Sequence, residues 1–433
     1  MRRIVTGRSP PAYYAPSRTT AGCIMDPDAR GDRHNRADRY VTRILVIGGG
    51  IAGSATALAL HKAGLDVTVH EAHPGTAEDI GAFLTLASNG MRALAQLDAS
   101  QVVTSRGFPL RTMRVLDDRG GEMAHVPLGE ADDTLLRYRC LRRGELNAAL
   151  QAEAVRRGIG VSHGARLVSV ENGPDQVSAR FADGSVATGD LLIGADGLNS
   201  AVRRSVAPGV EPVYAGQSVY YGYTRTAPVS EDTGHLTMVR GSAAAFGYAV
   251  SPDGEVYWFA RVGGDAVPAE ELAHPTPSHW RTHLVALLGK DATPAAGIVA
   301  ASTDDLMATH ATEIPPGTPW RSGRTLLIGD AAHAASPATG QGASMALEDA
   351  VILAKSLRDT PDLDSALTLY EACRRPRVEH NITASGEISR GTRPPARAAG
   401  GPPPQRPGDD TLTAQLDWHR ALHAGAGDAG QAG

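Results

Sequence analysis

The 433-residue chain is 42% hydrophobic and 21% charged, with a formal net charge of −5 and a pI near 6.3. Two or three domains with a sizeable core are expected at this length, and the mildly acidic balance excludes the basic footprint of a nucleic-acid-binding protein. No window approaches the roughly 18 apolar residues of a membrane span. Cys23, Cys140 and Cys373 are widely separated and form neither a disulfide framework nor a metal-ligand spacing, so a reducing cytoplasm is the expected compartment.

Residues 1–40 carry Arg, Asp, Pro and Gly without periodicity and read as a disordered extension, with Met25 a candidate for the true start. Met1-Arg-Arg is not followed by the apolar stretch of an export signal. The run Arg43–Ile47 predicts a buried strand and residues 51–63 a helix, and Gly48-x-Gly50-x-x-Gly53 falls on their join. Gly48 permits the tight turn, Gly50 lets a pyrophosphate approach the backbone, and Gly53 allows close packing of helix on strand. The helix N-terminus then directs its free N–H groups at the phosphates. A second strand, Val67–His70, ends in Glu71, at the spacing where a carboxylate accepts hydrogen bonds from a ribose diol. An acid there, in place of a base, favours FAD or NAD over a 2′-phosphorylated dinucleotide.

Further on, the apolar strand from Leu191 delivers Asp196-Gly197 to a turn, with Ser200 and Arg203 on a short helix. Residues 205–312 then change to period-two strands. Tyr221, Tyr223 and Arg225 share one face of a strand, as do Phe246, Tyr248 and Val250, and residues 251–255 turn the chain back into Val256–Arg261. Nine of the twenty aromatic residues fall between Tyr214 and Phe259. Some must pack the core, and Tyr221, Tyr223, Phe246 and Tyr248 are candidates for lining a pocket. A late strand from Thr325 ends at Gly329-Asp330, followed by Pro337, Gly340-Gln341-Gly342 and a helix from about Ala343 that includes Glu348-Asp349. Beyond Gly391 the chain turns to Pro, Ala and Gly, a flexible tail with one short helix near residues 411–423. Together the three glycine-acid signatures select FAD.

Over roughly residues 43–390 the chain resembles the group A flavoprotein monooxygenases, single-component aromatic hydroxylases similar to para-hydroxybenzoate, salicylate and 3-hydroxybenzoate hydroxylases. The resemblance implies an α/β fold in which a Rossmann-like FAD-binding domain (41–204, resumed with a C-terminal helix at 313–390) holds an inserted antiparallel β-sheet substrate domain (205–312). It implies that the Asp196-Gly197 stretch serves FAD and the nicotinamide cofactor. Asp330 would hold the ribityl chain, and residues 337–343 would run beside the isoalloxazine ring. Arg143, or its neighbour Arg142, would lie over the diphosphate or ribityl chain, and the segment from Gly81 to Asn89 would pass the dimethylbenzene edge. Ser344 stands where Asn is frequent. The implied reaction uses NADH or NADPH to reduce FAD, with O2 then forming a flavin hydroperoxide that hydroxylates or epoxidises an aromatic or polycyclic small molecule. A single glycine fingerprint means that the nicotinamide cofactor visits transiently.

The expected enzyme is a monomer or homodimer without metal, nucleic-acid partner or membrane span. His310 and His333 read as structural, Asp304-Asp305 as a turn pair, and no residue is identified as the catalytic base. Rival readings are a same-fold FAD-dependent reductase of an isoprenoid alkene and a non-catalytic FAD-binding redox sensor. Halogenation is disfavoured because Trp258, Trp280, Trp320 and Trp418 are isolated.

Overall fold

Arg43–Ile47, Leu191–Gly194 and Thr325–Leu327 are aliphatic runs, and strands of this composition need both faces covered. The computed structural model, which describes residues 43–76, 81–229, 232–274, 276–302, 305–392 and 409–423, sets these three segments side by side. They are central to a six-stranded sheet ordered Arg321–Ser322, Thr325–Leu327, Leu191–Gly194, Arg43–Ile47, Asp66–His70, Gly160–Ser162, in which every pair but the first is parallel. Ile47 lies opposite Gly194, and Gly194 opposite Leu327. The turns at Gly48, Asp196 and Gly329 therefore leave one carboxyl edge, the edge at which open α/β sheets bind their ligands.

Helices Ile51–Lys62, Arg143–Arg156 and Gly342–Asp359 share the main core with this sheet. A three-stranded antiparallel sheet (Leu167–Asn172, Val177–Phe181, Val186–Gly189) adds Val177, Ala179 and Phe181, and His70 stacks on Phe181 at 4.8 Å. No helix among the described residues is long and apolar enough to cross a membrane.

The inserted sheet has seven strands, ordered Met307–Glu313, Val213–Thr224, Val256–Gly263, Ala244–Val250, His235–Arg240, Thr112–Leu116, Glu122–Pro127. Its boundaries differ from the expected 205–312. The last two strands come from the first piece of the chain, and Thr112–Leu116 runs parallel to His235–Arg240 in an otherwise antiparallel sheet. Those two strands form their own hairpin, closed by the Asp117 carboxylate accepting from Gly121 N–H at 2.7 Å, and they cover an edge that would otherwise lack partners. Their half-exposed positions leave little hydrophobic alternation to read. One face of the sheet packs Phe246, Trp258 and Val256 against Trp280, Leu284 and Ile298 of helices Pro277–Leu288 and Ala295–Ala300. The other face meets a small sheet of Phe83–Leu86, Tyr138–Arg142 and Phe108–Leu110.

Helix Leu363–Ser389 begins at Asp362, whose carboxylate accepts from Ser365 N–H at 2.9 Å, and it returns along the molecule. The tail expected to be flexible is ordered over 409–423. Helix Asp409–Leu416 and the turn after it bury Leu412, Leu416, Trp418 and Leu422 in the main core. Their seat includes a buried ammonium, since Lys355 Nζ donates to the carbonyls of Gln415 and Asp417, both at 2.5 Å. Burial draws the pKa of Lys355 down to about 8. The rest of the tail, the 1–40 extension with Met25 and Cys23, and Asp304 lie outside the described residues.

Ending the chain at Thr392 removes apolar burial worth about 1.5–3 kcal/mol per large side chain and leaves the Lys355 ammonium without its carbonyls. The truncated protein is expected to melt at least about 5 °C lower; an unchanged Tm in differential scanning calorimetry would show that residues 409–423 add no stability.

Candidate cofactor and substrate site

The glycine loop is held by backbone contacts that no larger residue allows. Gly48 has φ +101°, and a Cβ there would lie 2.5 Å from the Ala195 carbonyl oxygen, while one on Gly53 would lie 1.9 Å from that of Gly48. Gly50 has open space in front of it, on the side a phosphate would occupy. The intervening Gly49 is fixed from both sides. Its N–H donates to Glu71 Oε2 at 2.6 Å, and its carbonyl accepts from Gln151 Nε2 at 2.7 Å and Ser54 Oγ at 2.9 Å. The other Glu71 oxygen accepts from His73 N–H at 2.6 Å. Gln151 and Ser54 were not singled out from sequence, because neither belongs to the spacing that marks the turn.

At the late signature, Gly329 adopts φ +56° and its N–H donates to Asp349 Oδ2 at 3.0 Å. Asp330, part-exposed at the end of the strand, has no hydrogen-bond partner among the described residues. Pro337 opens a single 3-10 turn closed by Gly340 in the left-handed region at φ +65°. Gln341 is buried and accepts from Asn89 Nδ2 at 3.0 Å, and Ser344 Oγ accepts from Ala87 N–H at 3.1 Å. The serine thereby ties helix Gly342–Asp359 to the start of helix Ser88–Gln96. Below the loop lies a buried ionic network. Arg374 donates to Glu348 Oε2 at 2.6 Å and Asp349 Oδ1 at 2.7 Å, Arg377 donates to both Glu348 oxygens at 3.0 Å, and Asn89 Nδ2 donates to Glu348 Oε1 at 2.6 Å. His333 Nε2 lies 2.6 Å from Asp349 Oδ2, the partner that makes it structural. His310 bonds the Val267 carbonyl at 2.8 Å. Burial pushes both carboxyls upward, but Arg374 with His333 at Asp349, and with Arg377 at Glu348, holds them below the ordinary range.

The middle signature plays a different part from the other two. The Asp196 carboxylate accepts from Ala201 N–H at 2.7 Å and Val202 N–H at 3.1 Å, and Ser200 Oγ accepts from Arg203 N–H at 2.8 Å, so helix Ala201–Val206 is capped by its own chain. The Asp196 oxygens thereby hold the turn, which Gly197 completes at φ +75°. Helices Ile51–Lys62 and Gly342–Asp359, in contrast, begin at Gly50 and Gln341 without a side-chain cap. Their first amides, including those of Gly342 and Ala343, remain available for an anion.

The two arginines at 142 and 143 separate clearly. Arg142 donates to Glu255 at 3.0 Å and lies 3.9 Å above the Tyr223 ring, whereas Arg143 is exposed, without an ion pair among the described residues, its stem 3.4 Å from where a Cβ on Gly81 would stand. The aromatics are also redistributed. Tyr221 faces Phe259 in register and both are half-buried, on the side towards Phe83, whose ring is 6.2 Å from each. Tyr223 shares that face but is buried under Arg142 and edge-on to Tyr257 at 5.0 Å, which makes it core. Phe246 and Tyr248 are corrected to the opposite face. Tyr248 is paired with Trp258, and Phe246 stacks on that indole at 5.7 Å against the helices. Period two orders the faces within each strand, but only the register between strands shows which faces coincide.

Two uncapped helix N-termini, an open glycine and Asp330 thus lie at one sheet edge, and Arg143, beside Gly81, is also without an ion pair among the described residues. An elongated diphosphate dinucleotide fits this donor set, and it defines an α/β dinucleotide-binding protein. The FAD binding domain family matches residues 41–385, and the chain belongs to that family. Aurachin C monooxygenase/isomerase of Stigmatella aurantiaca is 31% identical over 356 residues, which is 80% of this chain and 88% of the relative. The 3-amino-4-hydroxybenzoate 2-monooxygenase of Streptomyces platensis is 34% identical over 346 residues, covering 78% and 85%. Klebsiella pneumoniae HpxO, solved with FAD and uric acid, superposes with a TM-score of 0.72 at 30% identity, covering 81% of this chain and 89% of that one. The chain is a FAD-dependent monooxygenase.

The Glu348 and Asp349 carboxyls are lowered from 4.5 and 3.8, so the stability they contribute is present above those unfolded-state values and is lost as the pH falls through the folded ones. Arg374→Met removes the buried guanidinium shared by both carboxylates, leaving Glu348 with Arg377 and Asn89 and Asp349 with His333 and the Gly329 N–H, and is expected to cost about 3–5 kcal/mol at neutral pH in urea unfolding. The deficit should shrink as the pH is lowered towards 5, because a protonated carboxyl does not need the guanidinium; a deficit independent of pH would rule out the ionic role.

Proposed function

We propose that the enzyme inserts one atom of O2 into a planar aromatic or polycyclic small molecule, by hydroxylation or epoxidation, with NADH or NADPH as a transient reductant. The observation that carries this reading is the strand Phe83–Leu86, which joins the two halves of the site. Phe83 touches the Tyr221–Phe259 pair, and Thr85 Oγ1 lies 3.5 Å from where a Cβ on Gly340 would stand. A flat ring bound against that aromatic pair would be held next to the 337–342 loop. The relatives support a flat conjugated substrate, since one is named for 3-amino-4-hydroxybenzoate and another is solved with uric acid.

Bound and reduced, FAD supplies the activation of O2. In our assignment Gly48, Gly50, Gly53 and the helix they open take the diphosphate and Glu71 the ribose. Arg143 lies over the diphosphate or ribityl chain, and Asp330 accepts from the ribityl hydroxyls. Gly329 and Gly197 shape the turns, Pro337 and Gly340 shape the loop, and Gln341, Gly342 and Ala343 present backbone N–H groups to the ring edge that gains negative charge on reduction. Burial pushes the Tyr221 phenol up to about 12, so it remains a neutral hydrogen-bonding group beside the substrate. The closed aromatic face excludes water, which protects the activated oxygen from unproductive decay. We assign the enzyme to the cytoplasm as a monomer or homodimer; the buried, unpaired Cys140 and Cys373 accord with a reducing compartment.

The test is anaerobic reduction of the FAD-loaded enzyme by NADH or NADPH with a panel of hydroxybenzoates, quinolones and purines, followed by O2. At least one ring compound should accelerate flavin reduction and yield an oxygenated product in near-stoichiometric ratio to the nicotinamide consumed. Stoichiometric hydrogen peroxide with every compound would overturn the substrate class. Asp330→Ala should raise the Kd for FAD about tenfold or more, equivalent to about 1.4 kcal/mol, with the melting of the apoprotein unchanged. Unaltered FAD affinity would remove the ribityl assignment.

A further inference from the structure

The C-terminal end of helix Leu363–Ser389 buries a polar face. Asn381, Ser385 and Ser389 recur every fourth residue, so they share one side of the helix, and all three are buried, Ser385 completely. Burying polar side chains costs free energy unless each finds a partner. The partners lie in the turn 336–339, just before the amides at the start of helix Gly342–Asp359. Ser385 Oγ accepts from Thr339 N–H at 3.2 Å and donates to the Ser336 carbonyl. Thr339 Oγ1 donates to Asn381 Oδ1 at 2.9 Å, and the Ser336 and Ser389 hydroxyls bond each other.

One hydroxyl therefore holds both ends of the turn. Pro337 brings no N–H, and the turn's own backbone bond runs from Gly340 N–H to the Pro337 carbonyl at 3.0 Å. A single 3-10 turn is weakly held by such a bond. Gly340, in the left-handed region, then swings the chain into Gln341, where the next helix begins without a side-chain cap. The direction of that helix's first amides follows from the angle at which the turn delivers the chain. The same helix Leu363–Ser389 also fixes the far side of the loop, since Arg374 bonds Glu348, Asp349 and the Met345 carbonyl.

We propose that Ser385 is a positioning residue for the flavin. By bonding both ends of the 336–339 turn it aims the amides of Gln341, Gly342 and Ala343 at the ring edge that gains negative charge on reduction, and so raises the reduction potential of bound FAD. A fixed amide stabilises the reduced, anionic ring more than the oxidised, neutral one, and an amide free to swing away loses that difference. Ser389, in contrast, bonds a side chain of the turn and not its backbone, so its loss leaves the amides aimed. This inference rests on the assignment of the 337–343 loop to the flavin ring and adds what holds that loop.

The experiment measures the potential of FAD on the loaded enzyme by reductive titration against a reference dye, together with the Kd for oxidised FAD. Ser385→Ala should favour reduced over oxidised FAD at least tenfold less than wild type does, a fall of about 30 mV for a two-electron couple, with oxidised FAD bound within threefold. Ser389→Ala should leave that ratio within twofold. Ser385→Cys carries the same test where the alanine variant does not fold, because a thiol is a weak donor and acceptor, and its potential should fall in the same direction. A wild-type potential in the Ser385 variants, an equal fall in Ser389→Ala, or failure of both Ser385 variants to fold overturns the proposal in favour of a purely structural serine. Gly342→Val separates this outcome from the loop assignment, because its side chain would stand in open space in the folded chain. It should weaken FAD at least tenfold with the melting of the apoprotein unchanged; unweakened binding removes the loop assignment and the inference with it.

Discussion

The arrangement of the cofactor edge depends on the buried ion cluster centred on Arg374. Through Asp349 it holds the Gly329 turn and His333, and through Glu348 it holds Asn89, which in turn holds Gln341. One guanidinium from helix Leu363–Ser389 thus connects the end of a central strand, the 337–342 loop and helix Ser88–Gln96. Buried ion pairs add little net stability, because desolvation consumes most of the Coulomb attraction. Their value here is positional: each carboxylate oxygen has an assigned donor, so loop and strand end cannot shift independently.

The three signatures differ in how their helix amides are satisfied. At Gly50 and Gln341 the helix amides are left without side-chain caps, whereas Asp196 and Ser200 satisfy the amides of helix Ala201–Val206 internally. A glycine-acid motif at a sheet edge therefore has two physical outcomes, and which one applies depends on where the carboxylate oxygens go. The same accounting distinguishes the arginines. Arg142, Arg203 and Arg374 have partners within the protein, while Arg143 and Arg261 have no ion pair among the described residues.

Much of the nucleotide half was legible in the chain, because its demands are local. Gly48 needs a positive φ, Gly53 cannot carry a Cβ, and the aliphatic strand before them needs two covered faces. The substrate half was less legible. Tyr223, Phe246 and Tyr248 have the composition of pocket residues but are core, while Phe259 and Phe83, which lie in segments the sequence marks, and Arg261 were not singled out. Strand pairing explains the difference, since Gly247, with Phe259 opposite, shares its face and Tyr248 does not. The helix near residues 411–423 was legible but its docking was not, since the groups that hold it include a lysine more than fifty residues earlier.

By itself the sequence determined the dinucleotide edge, the class of cofactor and the presence of an inserted sheet, because turns, caps and period-two strands are set by residues a few positions apart. The tertiary structure decided which oxygens and nitrogens remain unsatisfied once the chain has folded. It brought residues 43–47, 191–194 and 325–327 into one sheet, added strands 112–116 and 122–127 to another, and buried Arg261 without a counterion. Hydrogen-bond satisfaction depends on every neighbour in space, so it cannot be read from spacing along the chain.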